Sequence, residues 1–144
     1  MKPVDQHTTY DCLRACVASI FETDDVPCFG ESAIGTETEA VQQDSDFRKW
    51  LAARGVSLHY VTNPEIVFAK GGKSAESPWG LCIASGKSPR GDFHHAVVYD
   101  YRKRGTQNIV HDPHPSRLGL DGIPEHFTCF LLEDPSLLTR ESVQ

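Results

Sequence analysis

Apolar side chains near the N-terminus recur at the spacing of an amphipathic helix. Over residues 10–21 they fall on one helical face, and neither glycine nor proline interrupts them. Ala15 and Ala18, which are strong helix formers, lie in the same stretch. The pattern therefore predicts a helix over residues 10–21, with Cys12 in its first turn.

A second helical face resumes at Phe47, after a polar stretch that contains glycine and proline. Phe47, Leu51 and Ala52 are spaced to lie on one side of a helix. Ser45 is a suitable N-cap for this helix, and Gly55 is a suitable residue to end it. The sequence therefore predicts a second helix between these two residues.

The rest of the chain has the character of short strands separated by turns. Residues 56–60 alternate apolar and polar side chains, and later runs are rich in β-branched and aromatic residues. We predict strands at residues 56–60, 79–84, 95–101, 108–111 and 127–132, a short helix at 63–70, a loop at 71–78 and a loosely held tail at 133–144. Helices followed by consecutive strands predict an α+β domain with an antiparallel sheet.

Length and charge narrow the class of protein. A chain of 144 residues predicts a single domain over residues 1–144. A net charge of −6, with the Lys and Arg residues of positions 87–104 broken up by acids and turns, argues against a nucleic-acid partner. The N-terminus lacks the apolar core of a signal peptide, and no apolar run is long enough to span a bilayer. We therefore expect a cytoplasmic protein without a membrane partner.

The cysteines indicate free thiols. Their number is odd and their spacing irregular, which favours reduced thiols over a disulfide framework or paired zinc knuckles. They are Cys12, Cys16, Cys28, Cys82 and Cys129. At least one thiol is therefore available to react.

Four residues have the chemistry of a thiol-based active site. The N–H groups of a helix N-terminus favour a thiolate at Cys12. His95 opens an apolar strand and would serve as the base, and Asp112, at the end of the next strand, would lie beside it and orient its ring. The side-chain amide of Gln6 would donate to the developing oxyanion. These residues predict acyl transfer through a Cys12 thioester.

The same residues carry a resemblance to a known family. The segment from Gln6 to Ile20, QHTTYDCLRACVASI, resembles the nucleophile segment of the bacteriocin-processing, double-glycine-leader peptidases of the papain-like superfamily. The run HAVVY from His95 and the pair Asp112-Pro113 are similar to that family's second and third motifs. The resemblance covers roughly the whole domain and departs at Leu13, where those peptidases usually have glycine.

The resemblance implies a fold, an activity and four roles. It implies a papain-like cysteine peptidase fold, in which the helix that carries the nucleophile packs on the sheet. It also implies a peptide or protein substrate and no cofactor or metal. Cys12 would be the nucleophile, His95 the general base, Asp112 the orienting carboxylate and Gln6 the oxyanion-hole donor.

Several alternatives remain open from the sequence. A papain-like acyltransferase or deamidase would form the same thioester, and a catalytically silent module would use its groove only to bind a peptide. His94 is the rival of His95 as base, although alternation along a strand sends only one of them toward Cys12. His111 and His114 are candidate zinc ligands together with either histidine. The sequence predicts no particular oligomeric state.

Overall fold

Two helices and an antiparallel sheet make up the part of the chain that the structure describes. The computed structural model describes residues 1–8, 11–27, 36–62, 80–100 and 108–137. Within these ranges the elements are helices α1 (Cys12–Phe21) and α2 (Glu37–Ala52), strands β1 (Val56–Val61), β2 (Leu81–Lys87), β3 (His94–Asp100), β4 (Ile109–His111) and β5 (His126–Leu132), and a 3-10 turn at Pro135–Leu137. The predicted α+β class is confirmed.

The five strands form one sheet in the order β1-β5-β2-β3-β4, and every neighbouring pair is antiparallel. The strand predictions agree with the structure to within a few residues where both can be compared. Trp79, the predicted helix at 63–70 and the loop at 71–78 lie outside the described residues. None of the helices in the described ranges has the length and apolar character needed to cross a bilayer.

Helix α2 begins earlier than the sequence pattern predicts. Thr36 is its N-cap, and its side chain accepts a hydrogen bond from the Glu39 N–H at 3.2 Å. The prediction of Ser45 as N-cap is therefore wrong. The added turns are solvent-exposed and rich in polar residues that tolerate a helix, so they show no apolar periodicity.

Gly55 joins α2 to β1 through a left-handed backbone conformation, with φ of 72°. Its carbonyl oxygen accepts hydrogen bonds from the N–H groups of Glu133 at 2.6 Å and Asp134 at 3.0 Å. The first residues of the predicted loose tail are therefore tied to the start of β1. The end of that tail, residues 138–144, lies outside the described residues.

Both faces of the sheet are packed with apolar side chains. Helix α1 packs against β2 and β3, and α2 packs against β1. Under the helices lie buried residues that include Phe21, Phe47, Ile83, Val98 and Phe130. Because side chains alternate along a strand, the neighbouring positions form a second buried cluster, made of Cys82, Ala84, Val97, Tyr99 and Phe127.

The N-terminal segment is held between α1 and the chain that leaves β4. The Val4 N–H donates to Ser19 Oγ in α1 at 2.9 Å, and His111 Nε2 donates to the Val4 carbonyl at 2.9 Å. The Gln6 N–H donates to the carbonyl of Pro113, also at 2.9 Å. These bonds tie the N-terminal segment to α1 at Ser19 and place Gln6 beside the Asp112-Pro113 pair.

Candidate active site

Helix α1 places Cys12 in its first turn, where the side chain is half-buried. Asp11 is the N-cap residue but makes no side-chain cap bond, because its carboxylate turns back toward the preceding loop. There it accepts from the N–H groups of His7 and Thr8, each at 2.9 Å. Cys12 therefore stands at a helix N-terminus whose first-turn N–H groups receive no side-chain cap from Asp11.

His95, at the start of β3, contacts two of the other predicted site residues, Asp112 and Cys12. Its side chain is only 2% exposed, and its Nε2 donates to Asp112 Oδ1 at 2.6 Å. The ring also forms a side-chain hydrogen bond with Cys12. Since Nε2 is engaged by Asp112, the nitrogen that faces Cys12 is Nδ1. The structure therefore brings Cys12, His95 and Asp112 together in the order that a triad needs.

The environment of His95 favours its protonated form. Burial lowers the pKa of His95, but the hydrogen bonds to Asp112 and Cys12 and the negative charge of both partners outweigh burial. The net result is a pKa above the ordinary histidine value. A protonated ring at this position places a positive charge beside the side chain of Cys12.

Asp112 is held in its ionised form by three donors. Besides His95, the His114 N–H donates to Oδ1 at 2.9 Å, and the Gly119 N–H donates to Oδ2 at 2.7 Å. Burial raises the pKa of Asp112, but the lowering by these three hydrogen bonds is the larger effect. The net pKa of Asp112 is therefore below the ordinary range. A carboxylate fixed in this way can orient the ring of His95 and stabilise its positive charge.

An ion pair that the sequence did not predict fixes the backbone of Asp112. Arg117 contacts both carboxylate oxygens of Asp5, at 2.6 and 2.9 Å, and also donates to the Asp112 carbonyl. Arg117 adopts a left-handed backbone with φ of 55°, which turns the chain back around the Asp112 carboxylate. Asp5 and Arg117 stand 112 positions apart, so no local pattern could have paired them.

Gln6 lies in the site region, where its amide nitrogen is engaged by a backbone carbonyl of the N-terminal segment. Nε2 donates to the Thr8 carbonyl at 2.8 Å, and Oε1 is buried without a hydrogen-bond partner among the described residues. The backbone of Gln6 is anchored to Pro113, beside Asp112. Its predicted role as oxyanion donor therefore requires the side-chain amide to rotate.

The other candidate histidines have different partners. His94 is exposed and donates from Nε2 to Glu125 at 2.6 Å, while His111 donates to the N-terminal segment. His114 Nδ1 accepts from the Ser116 hydroxyl at 2.8 Å, and its ring stands edge-on to that of His95 at 6.3 Å. In the described part of the chain, no three His, Cys, Asp or Glu side chains are grouped to hold a metal ion.

Two neighbours of Cys12 in α1 are structural. Cys16, one turn further along, is fully buried in the core under the helices, and burial raises the pKa of its thiol well above the usual value. Leu13 is half-buried and packs against the same core. Contact with the core accounts for a leucine at this position.

Comparison of the chain with protein-family models, with curated proteins and with solved structures finds no match. What the chain does must therefore be inferred from its own motifs and from the geometry of these residues.

Proposed function

We propose that the chain is a papain-like cysteine hydrolase that cleaves a peptide or isopeptide bond through a thioester on Cys12. One observation carries the proposal: His95 is almost completely buried, with one ring nitrogen on Asp112 and the other facing Cys12. A histidine in a purely structural role needs no half-exposed thiol at its second nitrogen. This arrangement is that of an activated nucleophile, its base and an orienting carboxylate.

The acylation step follows from these positions. The Cys12 thiolate attacks the carbonyl carbon, so a C–S bond forms and the carbonyl oxygen becomes an oxyanion. The oxyanion then collapses and the C–N bond breaks, while His95 passes its Nδ1 proton to the leaving amine. Asp112 remains a carboxylate and keeps Nε2 protonated and the ring in place.

Deacylation uses the same residues in reverse. Neutral His95 takes a proton from water at Nδ1, and the resulting hydroxide attacks the thioester carbon. The C–S bond breaks, the carboxylic acid leaves, and the thiolate–imidazolium pair is restored. The Cys12 backbone N–H and the amide of Gln6, once rotated away from Thr8, would donate to the oxyanion in both steps.

An acyltransferase or deamidase is the second candidate, because it forms the same thioester. An acyltransferase passes the acyl group to an amine instead of water, and a deamidase attacks a side-chain amide. The presence of Cys12, His95 and Asp112 in contact favours all three activities over a silent peptide-binding module.

The test uses a library of peptides derived from a whole proteome, so that no substrate has to be guessed. The chain is incubated with the library, with and without glycine methyl ester as an acceptor amine, and new termini are identified by mass spectrometry. New carboxyl termini that require Cys12 and His95 support a hydrolase, and ester-capped termini support an acyltransferase. Products that persist in Cys12→Ala would contradict the proposal.

A further inference from the structure

A second pair of reactive groups lies in the sheet, at Cys82 in β2 and Cys129 in β5. The register of β2 and β5 pairs Ile83 with Thr128 and Ala84 with Phe127 in antiparallel strands. One step further along the same register sets Cys82 opposite Cys129. The two thiols are in contact, since the Cys82 S–H donates a hydrogen bond to the Cys129 sulfur.

The geometry of this pair fits a disulfide. Directly opposed residues of antiparallel strands have Cα atoms about 4.5–5.5 Å apart. Disulfide-bonded cysteines have Cα atoms roughly 4.4–6.8 Å apart, so the strands need no large shift. Cys82 belongs to the second buried cluster and Cys129 packs against that cluster, so the two side chains lie on the same side of the sheet.

The two thiols differ in access and in acidity. Cys82 is completely buried, whereas Cys129 is half-buried. The hydrogen bond from Cys82 lowers the pKa of the Cys129 thiol, and burial raises the pKa of Cys82 well above its usual value. Cys129 is therefore the thiol that reacts first with an oxidant, and Cys82 is the neighbouring thiol that resolves the oxidised form.

We propose that Cys82 and Cys129 are a reversible oxidation site, which closes to a cross-strand disulfide when the protein meets hydrogen peroxide. The site is separate from Cys12 and does not depend on the proposed hydrolase function.

The reaction balances with peroxide as the two-electron oxidant. The Cys129 thiolate attacks one peroxide oxygen, the O–O bond breaks, and the hydroxide that leaves is protonated to water. Cys82 sulfur then attacks the sulfur of the Cys129 sulfenic acid, and the S–O bond breaks as the Cys82 proton leaves with the hydroxyl as water. Two thiols and one peroxide give one disulfide and two waters.

The disulfide would form away from the candidate active site. Cys82 pairs with Tyr99 in β3, whereas His95 pairs with Gly86, near the other end of β2. At about 3.3 Å per residue the two positions are roughly 13 Å apart along the strand. Oxidation of this pair should therefore stiffen the junction of β2 and β5 without disturbing the contact between Cys12 and His95.

The experiment treats Cys12→Ala protein with a stoichiometric amount of hydrogen peroxide and maps its peptides by mass spectrometry without reduction. The expected product is lighter by two hydrogen atoms and contains one cross-link, between the peptides of Cys82 and Cys129. Dithiothreitol should restore the starting mass, and the oxidised form should melt at a higher temperature than the reduced form. Cys16→Ala, which removes another buried thiol, should still form the cross-link.

Two further variants test the order of events. In Cys82→Ala the reaction should stop at a sulfenic acid on Cys129, which dimedone traps. In Cys129→Ala the buried Cys82 should react with neither peroxide nor dimedone. If the parent protein with both cysteines gives a dimedone adduct on Cys129 in place of the cross-link, or a disulfide between any other cysteines, the proposal is wrong. The measurement on the Cys12→Ala protein, which keeps Cys82 and Cys129, tests the proposal even if a further variant fails to fold.

Discussion

At the scale of single residues, His95 and His94 show how adjacent positions in a strand acquire different roles. Alternation turns His95 inward, where it is 2% exposed and bonded to Asp112, and turns His94 outward, where its side chain is 64% exposed and bonded to Glu125. Because both residues are histidines in the same strand, His95→Ala and His94→Ala form a matched pair of substitutions.

We expect His95→Ala to lose activity by about 100-fold to 10,000-fold, because it removes the proposed general acid and base of both steps. His94→Ala should keep activity within about twofold of the parent, since its ring is exposed and its contacts, with Glu125 and His126, lie on the surface. The measurement is the initial rate on any peptide that the library experiment identifies. Equal losses in the two variants would remove His95 from the mechanism.

The bond between His95 and Asp112 should contribute stability only within a window of pH. Asp112 has a pKa below its ordinary value of 3.8, so its contribution is complete above that value and is lost as the pH falls through the lowered pKa. His95 has a pKa above its ordinary value of 6.5, so its contribution is complete below 6.5 and is lost as the pH rises through the raised pKa.

Urea unfolding of the parent and of Asp112→Asn across this range tests the coupling. The difference in unfolding free energy should be largest between pH 3.8 and 6.5 and should shrink on either side. A difference that is constant with pH would mean that Asp112 contributes through shape and neutral hydrogen bonds alone.

The sequence predicts the identities of Cys12, His95 and Asp112, because each has a local signal: a helix start, a strand start and an Asp-Pro strand end. It could not predict the orientation of the Gln6 amide. That orientation depends on the carbonyl of Thr8, which the Asp11 carboxylate holds in a turn by accepting from the Thr8 N–H. A side-chain rotamer set by a loop leaves no pattern in the sequence.

At the scale of elements, the loop from β4 to Gly119 and the N-terminal segment act as one support for the Asp112 carboxylate. Arg117 joins them through Asp5, and both side chains are about half exposed, at 48% and 44%. An ion pair with this exposure is largely screened by solvent and contributes little to folding. Its value to activity can be larger, because it also holds the carbonyl of Asp112.

Arg117→Gln should therefore lower kcat by about tenfold and leave the unfolding free energy close to that of the parent. Arg117 is a positioning residue, so KM should change little and Arg117→Lys should recover only part of the rate. Arg48→Gln is a matched control, because Arg48 forms an ion pair of 2.9 Å with Asp44 at 47% exposure and lies in α2. A similar loss of kcat in both variants would contradict the positioning role.

The turn between α2 and β1 offers a stability test away from the site. A Cβ atom at Gly55 would lie 2.1 Å from the Asp134 carbonyl oxygen, and its φ of 72° disfavours a side chain. We expect Gly55→Ala to lower the unfolding free energy by about 2–3 kcal/mol. Thermal or urea unfolding measures this loss, and a neutral result would show that residues 133 and 134 are not seated on the turn.

Element boundaries follow from the sequence only where burial makes a pattern. Strand β3 is apolar along most of its length and was predicted to within one residue at its start, whereas the first turns of α2 are exposed and were missed. Their helical state depends on the Thr36 cap and on acidic residues in the first turn. A capping signal ahead of the apolar pattern would have located this start.

At the scale of the whole molecule, the order of the strands is the feature that local patterns could not supply. Strand β5 enters between β1 and β2, although it is the last strand described along the chain. This insertion places Cys129 of β5 opposite Cys82 of β2. It also adds Phe130 to one buried cluster and Phe127 to the other. Strand order depends on which faces can be buried together, and no window of sequence contains that information.

The central claim is that His95 and Asp112 activate Cys12, and the rate of alkylation tests it without any substrate. Each cysteine is followed by mass spectrometry during reaction with iodoacetamide from acid to mildly alkaline pH. A Cys129→Ala background is used, because the lowered pKa of Cys129 makes that thiol a competitor. Cys16 serves as an internal buried control.

We predict that Cys12 is alkylated fastest of all cysteines in mildly acidic solution, where ordinary thiols are mostly protonated. His95→Ala should abolish this advantage, Asp112→Asn should reduce it, and His94→Ala should leave it unchanged. If Cys12 reacts at the same rate with and without His95, the triad is not an activating device and the hydrolase proposal fails.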